Sequence, residues 1–157
     1  MKVKRTISSD EFEVEGELKP GDIVKTRSSL SIVVDVYHEE PEIIKYLDVP
    51  SDKLRSFLPD IMERGRIAKC ITLFCDSPPS PGEDVSIANT EEIVLLHTKE
   101  GDFSMPYLSL LIKKCRDRLW VVKRHLERLE SILPEQKEII EIIKSEIEYE
   151  MLRGVEI

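Results

Sequence analysis

An α+β protein is predicted: a small antiparallel β-barrel over residues 1–105 with a helical insertion at 51–64, followed by a C-terminal antiparallel two-helix hairpin, its helices at about 106–133 and 135–152. Three observations predict it. Short stretches rich in β-branched residues, separated by Pro and Gly turns, fill the first two-thirds of the chain. Leu108, Ile112, Cys115, Leu119, Val122, Leu126, Leu129 and Leu133 recur at alternating steps of four and three, the rhythm of a helix that pairs lengthwise with another. After Pro134, the residues Ile139, Ile140, Ile142, Ile143, Ile147, Met151 and Leu152 form one broad apolar helical face.

In chain order, residues 3–37 read as strands. Phe12 and Val14 alternate with acidic residues, Lys19-Pro20-Gly21-Asp22 is a turn, and Leu30 to Tyr37 is rich in β-branched side chains. His38-Glu39-Glu40-Pro41-Glu42 is an acidic loop, and Ile43 to Leu47 suits a further short strand. Leu54, Phe57, Leu58, Ile61 and Met62 then fall at helical spacing behind Ser51 as a cap, with Pro59 dividing them and Gly65 ending them. Arg66 to Cys75 returns to strand chemistry. The run Ser77-Pro78-Pro79-Ser80-Pro81-Gly82 cannot join a ladder, because proline has no N–H to donate.

Asp84 to Ala88 is a short strand, and Thr90 is a candidate cap for a turn over Ile93-Val94-Leu95-Leu96, which fits helix or strand. Gly101 marks a turn. Pro106 is tolerated in a first helical turn and Pro134 stops the run, so 106–133 reads as a single rod of roughly 40 Å. A short connection folds the next helix back against it. The seam, with Trp120, is expected to bury against that helix or against a second copy.

Net charge is −8, which argues against a surface that binds nucleic acid or anionic lipid throughout. Its distribution is uneven. Residues 107–133 hold 7 Lys/Arg against 3 Asp/Glu, and residues 134–157 hold 3 against 7. A basic helix therefore precedes an acidic one. Charged residues make up 34% of the chain while Asn89 and Gln136 are its sole side-chain amides, a bias that resembles hyperthermophile composition. No apolar run follows the basic start and no stretch suits a membrane span, so a cytoplasmic chain with no membrane partner is expected. Three irregularly spaced cysteines suit a reducing compartment.

Two stretches carry a family resemblance. Gly21-Asp22-Ile23-Val24, followed by Ile32-Val33-Val34-Asp35-Val36, resembles the opening strands of the HAS-barrel of HerA-type motor ATPases. The run from Pro78 to Ile93 is similar to the proline–glycine turn, short strand and acidic turn that close such barrels. The resemblance spans roughly residues 10–98. It stops short of the motor, since no Gly-x-x-x-x-Gly-Lys-Ser/Thr loop is present to cradle phosphates. It implies the barrel alone, acting as an adaptor or assembly module.

No residue set points to an enzyme. Cys70 and Cys75 with Cys115, His38, His97 or His125 do not form the two close pairs a structural zinc site uses, so no metal and no cofactor is expected. Cys115 suits the seam as a small apolar residue. His38 belongs to a solvated acidic loop, His97 has no marked partner, and His125, among Lys123, Arg124 and Arg128, reads as part of a polar helix face. No nucleophile motif occurs; the weakest of the functional readings is a small hydrolase around Cys75–Gly82.

The function expected is thus a non-catalytic assembly or docking module, acting on a protein partner or by self-association as a homodimer. The competing expectation is a nucleic-acid-binding module using the barrel and the basic helix. There Lys113, Lys114, Arg116, Arg118, Lys123, Arg124 and Arg128 would neutralise phosphates and Trp120 would stack on a base.

Overall fold

The computed structural model describes residues 1–38 and 65–155. The helical insertion expected at 51–64, the strand expected at 43–47 and the loop residues Glu39, Glu40 and Glu42 lie outside the described residues. The chain divides into two compact units, Met1–Ser86 and Ile87–Ile157. Residues 87–105, which the sequence reading groups with the strands, fall in the second unit.

The first unit is built on strands β1 (Lys2–Thr6), β2 (Glu11–Glu15), β3 (Ile23–Lys25), β4 (Ser29–His38) and β5 (Arg66–Cys75). With β6 (Ser86–Ile87) they form one sheet in the order β1-β2-β5-β4-β3-β6. The pairings β1–β2, β2–β5, β5–β4 and β4–β3 are all antiparallel. The sheet turns through Gly21, whose positive φ of 97° suits a residue without a Cβ and whose N–H donates to the Val33 carbonyl at 2.7 Å.

Val3, Phe12, Val14, Leu18, Val24, Val33, Ala68, Cys70 and Val85 make one core cluster. Ser31, Ile32, Val33 and Val34 are buried in succession on β4, the mark of a central strand covered on both faces. That burial leaves two hydroxyls, on the register partners Ser31 and Thr72, without a hydrogen bond.

The closed barrel expected from the strand pattern is instead a curled half-barrel. The strands toward one edge are too short to close it: β3 has three residues and the edge strand β6 two. On the far side, residues 82–85 lie along β1 through Gly82 N–H to the Val3 carbonyl (2.8 Å), Val3 N–H to the Glu83 carbonyl (2.9 Å) and Val85 N–H to the Met1 carbonyl (2.8 Å). This contact is one isolated bridge, Lys2↔Asp84, rather than a strand. The prolines just before it have no N–H with which to lengthen the ladder.

The second unit begins with α1 (Thr90–Leu96), capped by Asn89 rather than by Thr90: the Asn89 side chain accepts from Glu92 N–H at 2.8 Å. Strands β7 (Thr98–Lys99) and β8 (Asp102–Phe103) pair across a two-residue turn in which Glu100 and Gly101 both have positive φ, as a tight hairpin requires.

The single rod expected over 106–133 is two helices, α2 (Leu108–Lys114) and α3 (Leu119–Ile132). At the break Arg118 leaves helical geometry (φ −148°, ψ 51°) and pairs with its neighbour Asp117 at 3.5 Å, a contact that adjacent side chains on a helix do not make. Packing gives the reason. A continuous helix would hold positions 107 and 125 about 27 Å apart along its axis, whereas their side chains meet in the unit's interior.

A 3-10 turn (Pro134–Gln136) leads to α4 (Lys137–Val155). Lys144 to Glu130 at 3.2 Å and Lys123 to Glu148 at 3.4 Å tie α4 to α3.

Candidate functional site

Helix α3 buries Leu119, Val121, Val122, His125, Leu126 and Leu129, a face wider than the 3.5-residue seam. Of the seam residues, Cys115, Leu119, Val122, Leu126, Leu129 and Leu133 are buried, while Leu108 and Ile112 are half-buried. Trp120 departs from expectation: its indole is 47% exposed, because its position on α3 points away from the buried face.

The broad apolar face expected on the last helix is two faces on opposite sides of α4. Ile140 and Ile147 are buried, flanked by half-buried Ile143 and Met151. Ile139, Ile142, Tyr149 and Leu152 are between 46% and 66% exposed. At about 100° per residue these four fall within a sector of about 140°, opposite Ile140 and Ile147. The exposed Glu138, Glu146 and Arg153 fall within the same sector, and Glu141 borders it. An exposed apolar row on a helix whose other side is already packed is a surface suited to a partner.

A buried polar cluster lies in the same unit. The His97 ring packs parallel to Phe103 with centroids 6.1 Å apart, and its Nδ1 lies 2.7 Å from the Ile93 carbonyl. Its Nε2 bonds the Tyr107 hydroxyl, which lies 2.6 Å from His125 Nε2. All three side chains are buried. Proton placement follows from the ends. A carbonyl only accepts, so His97 Nδ1 carries the hydrogen and its Nε2 accepts from Tyr107. The Tyr107 oxygen then accepts from His125 Nε2–H, leaving His125 Nδ1 as a lone-pair acceptor, buried and without a hydrogen-bond partner.

Burial holds both rings neutral. It pushes His97 below the ordinary imidazole value against the opposing pull of the Ile93 carbonyl. It pushes His125 down to about 3, aided by the Arg128 charge and by repulsion from His97 whenever that ring is protonated. Burial likewise raises Tyr107.

His125 is thus an interior residue rather than part of a polar face, and His97 has the partner that sequence spacing does not reveal. One signal was available: Val121, His125 and Leu129 are spaced by four, which places His125 on the apolar side of α3. The cluster cross-links its unit, joining the end of α1 to Tyr107 and α3.

The remaining sites of interest are dispersed. Cys70 is buried, its thiol pushed up to about 12 by desolvation, Cys115 is buried and Cys75 is exposed. His38 stands at the opposite end of β4 from Ser29, the register partner of Cys75. Nine residues of strand, about 30 Å, therefore separate that imidazole from the Cys75 thiol. Among the described residues no three His, Cys, Asp or Glu side chains converge on a metal-sized position. A recess of about 460 Å³ opens beside Tyr37 and the Arg66–Glu17 ion pair, and one of about 530 Å³ beside Arg27, Ser28 and Glu83.

The basic residues do not form one patch. Lys113, Lys114, Arg116 and Arg124 are exposed, while Arg118 and Lys123 are engaged by Asp117 and Glu148, and Arg128 is half-buried. No helix among the described residues is long and apolar enough to cross a membrane. Comparison with protein-family models, with curated proteins and with solved structures finds no match.

Proposed function

We propose that this chain is a non-catalytic assembly module that docks through protein–protein contacts, as the likeness to a HerA-type barrel lacking its motor implies. The observation that carries the proposal is the exposed row Ile139, Ile142, Tyr149 and Leu152 on α4. Those side chains lie on the side of α4 away from the buried Ile140 and Ile147, so much of their apolar surface is left for a partner. The two-helix pairing beneath it is supported by the Lys144–Glu130 and Lys123–Glu148 ion pairs and by burial of Leu126, Leu129, Ile140 and Ile147. Burial of such side chains contributes about 1.5–3 kcal/mol each. Of the ion pairs, the more exposed Lys123–Glu148 contributes about 0.2–1 kcal/mol.

The test is a double substitution, Ile142→Ser with Tyr149→Ser, compared with the unchanged chain in association with itself and with proteins retained from the native host. Both positions are exposed, so helical circular dichroism should be preserved while association is lost. Retention of every association by the variant would refute the docking role.

One observation favours a second reading, a nucleic-acid-binding module: the exposed Trp120 stands one helical turn from the exposed Arg124, a stacking surface next to a cation. Binding to single-stranded DNA or RNA that weakens steeply with salt and falls on Trp120→Ala would support it. No binding at low salt would dismiss it.

A further inference from the structure

The docking role leaves open what covers the outer row of α4. We infer that it is a second copy of the chain, laid antiparallel on the first about a two-fold axis that passes between Ser145 and Glu146. The inference rests on the docking role proposed above and names its partner.

The spacing of the row is its own mirror. From Ile139 to Ile142 is three residues, from Ile142 to Tyr149 seven, and from Tyr149 to Leu152 three again. A two-fold interface demands this property, since each residue i that meets j implies a j that meets i. When two copies of α4 run antiparallel about that centre, Ile142 of one stands level with Tyr149 of the other, and Ile139 stands level with Leu152.

The charges agree. Glu138 of one copy comes level with Arg153 of the other, so both ends of the paired segment carry opposite signs. A parallel pair would instead set Glu138, Glu141 and Glu146 beside their own copies in register, and like charges at matched height oppose association. The paired segment from Glu138 to Arg153 is about 22 Å long.

Close to the axis, Ser145 is small enough to let the helices approach. Glu146 there lies beside its own copy, a like-charge contact at the axis itself. That contact distinguishes a self-paired helix from one covered by a foreign surface.

The test is sedimentation equilibrium of the full chain over a wide concentration range, joined to a cross-linking experiment. The unchanged chain should show a monomer–dimer equilibrium. Ile142→Ser with Tyr149→Ser should weaken it about tenfold or more, Glu146→Gln should tighten it, and Leu95→Ser, a change at an exposed leucine of α1, should leave it unaltered. In a Cys75→Ser background, a short bismaleimide should join Ile142→Cys chains to Tyr149→Cys chains in preference to either kind with itself.

A chain that stays monomeric at the highest concentration would overturn the inference. So would a dimer indifferent to the double substitution, a Glu146→Gln dimer no tighter than the original, or cross-links favouring like positions. A monomer whose outer row still captures a different protein, lost with the double substitution, would refute self-pairing and leave the docking role standing.

Discussion

The Tyr107 hydroxyl lies 2.6 Å from Nε2 of His125, eighteen positions later in the chain, with both groups shut away from water. The neutral form of His125 is what permits this contact. Acid should therefore act on the second unit through its histidines. Above the unfolded imidazole value of about 6.5, folded and unfolded chains bind equal numbers of protons at these positions. Below it the unfolded rings take up protons that the folded ones refuse, so stability falls. For His125, with a folded value of about 3, the loss is on the order of 3 kcal/mol at pH 4.5, and His97 adds in the same direction. Urea unfolding followed at 222 nm between pH 7.5 and 4.5 checks this, and His125→Leu should flatten the profile.

Replacing Tyr107 with Phe removes the group that serves both rings. His97 Nε2 loses its donor and His125 Nε2–H its acceptor, and each buried group left unpaired costs about 1–3 kcal/mol. The variant should unfold at markedly lower denaturant, with its greatest loss near neutral pH.

Thr72 offers the opposite outcome. Its hydroxyl is buried without a hydrogen bond, so Thr72→Val keeps the shape and removes a desolvated polar atom. The substitution should raise stability by about 1 kcal/mol, read as a higher denaturation midpoint at unchanged slope.

The three thiols should separate cleanly. Cys75 is exposed and should react with a disulfide reagent at once. Cys70 and Cys115 should react only as the chain unfolds. Counting thiols released with time, at neutral pH with and without denaturant, tests the assignment.

The alternating pattern of Phe12 and Val14, and the β-branched run from Leu30 to Tyr37, made the strands legible in the sequence, because period two in a half-buried strand is a local property. Closure of the sheet was not legible, since it depends on how far β3 and β6 extend. The seam from Leu108 to Leu133 carried the right residues, and six of its eight are buried. Its rhythm nevertheless runs without interruption through Cys115–Arg118, where no Pro or Gly announces the break. The reason for that break is a contact eighteen residues long in sequence, which no periodicity encodes. The outer row of α4 was legible as apolar, yet which isoleucines face inward is decided only by the helix beneath them.

The bonds between residues 82–85 and β1 carry a consequence for how the chain acquires its shape. Val85 donates to the carbonyl of Met1, so the opening strand can be fastened along that side only once residue 85 has been made. During synthesis β1 has β2 to zip onto and nothing on its other flank, and its closing step joins segments more than eighty residues apart. A contact of such long range forms slowly, and until it does, an unpaired strand edge stands open to pairing with other nascent chains.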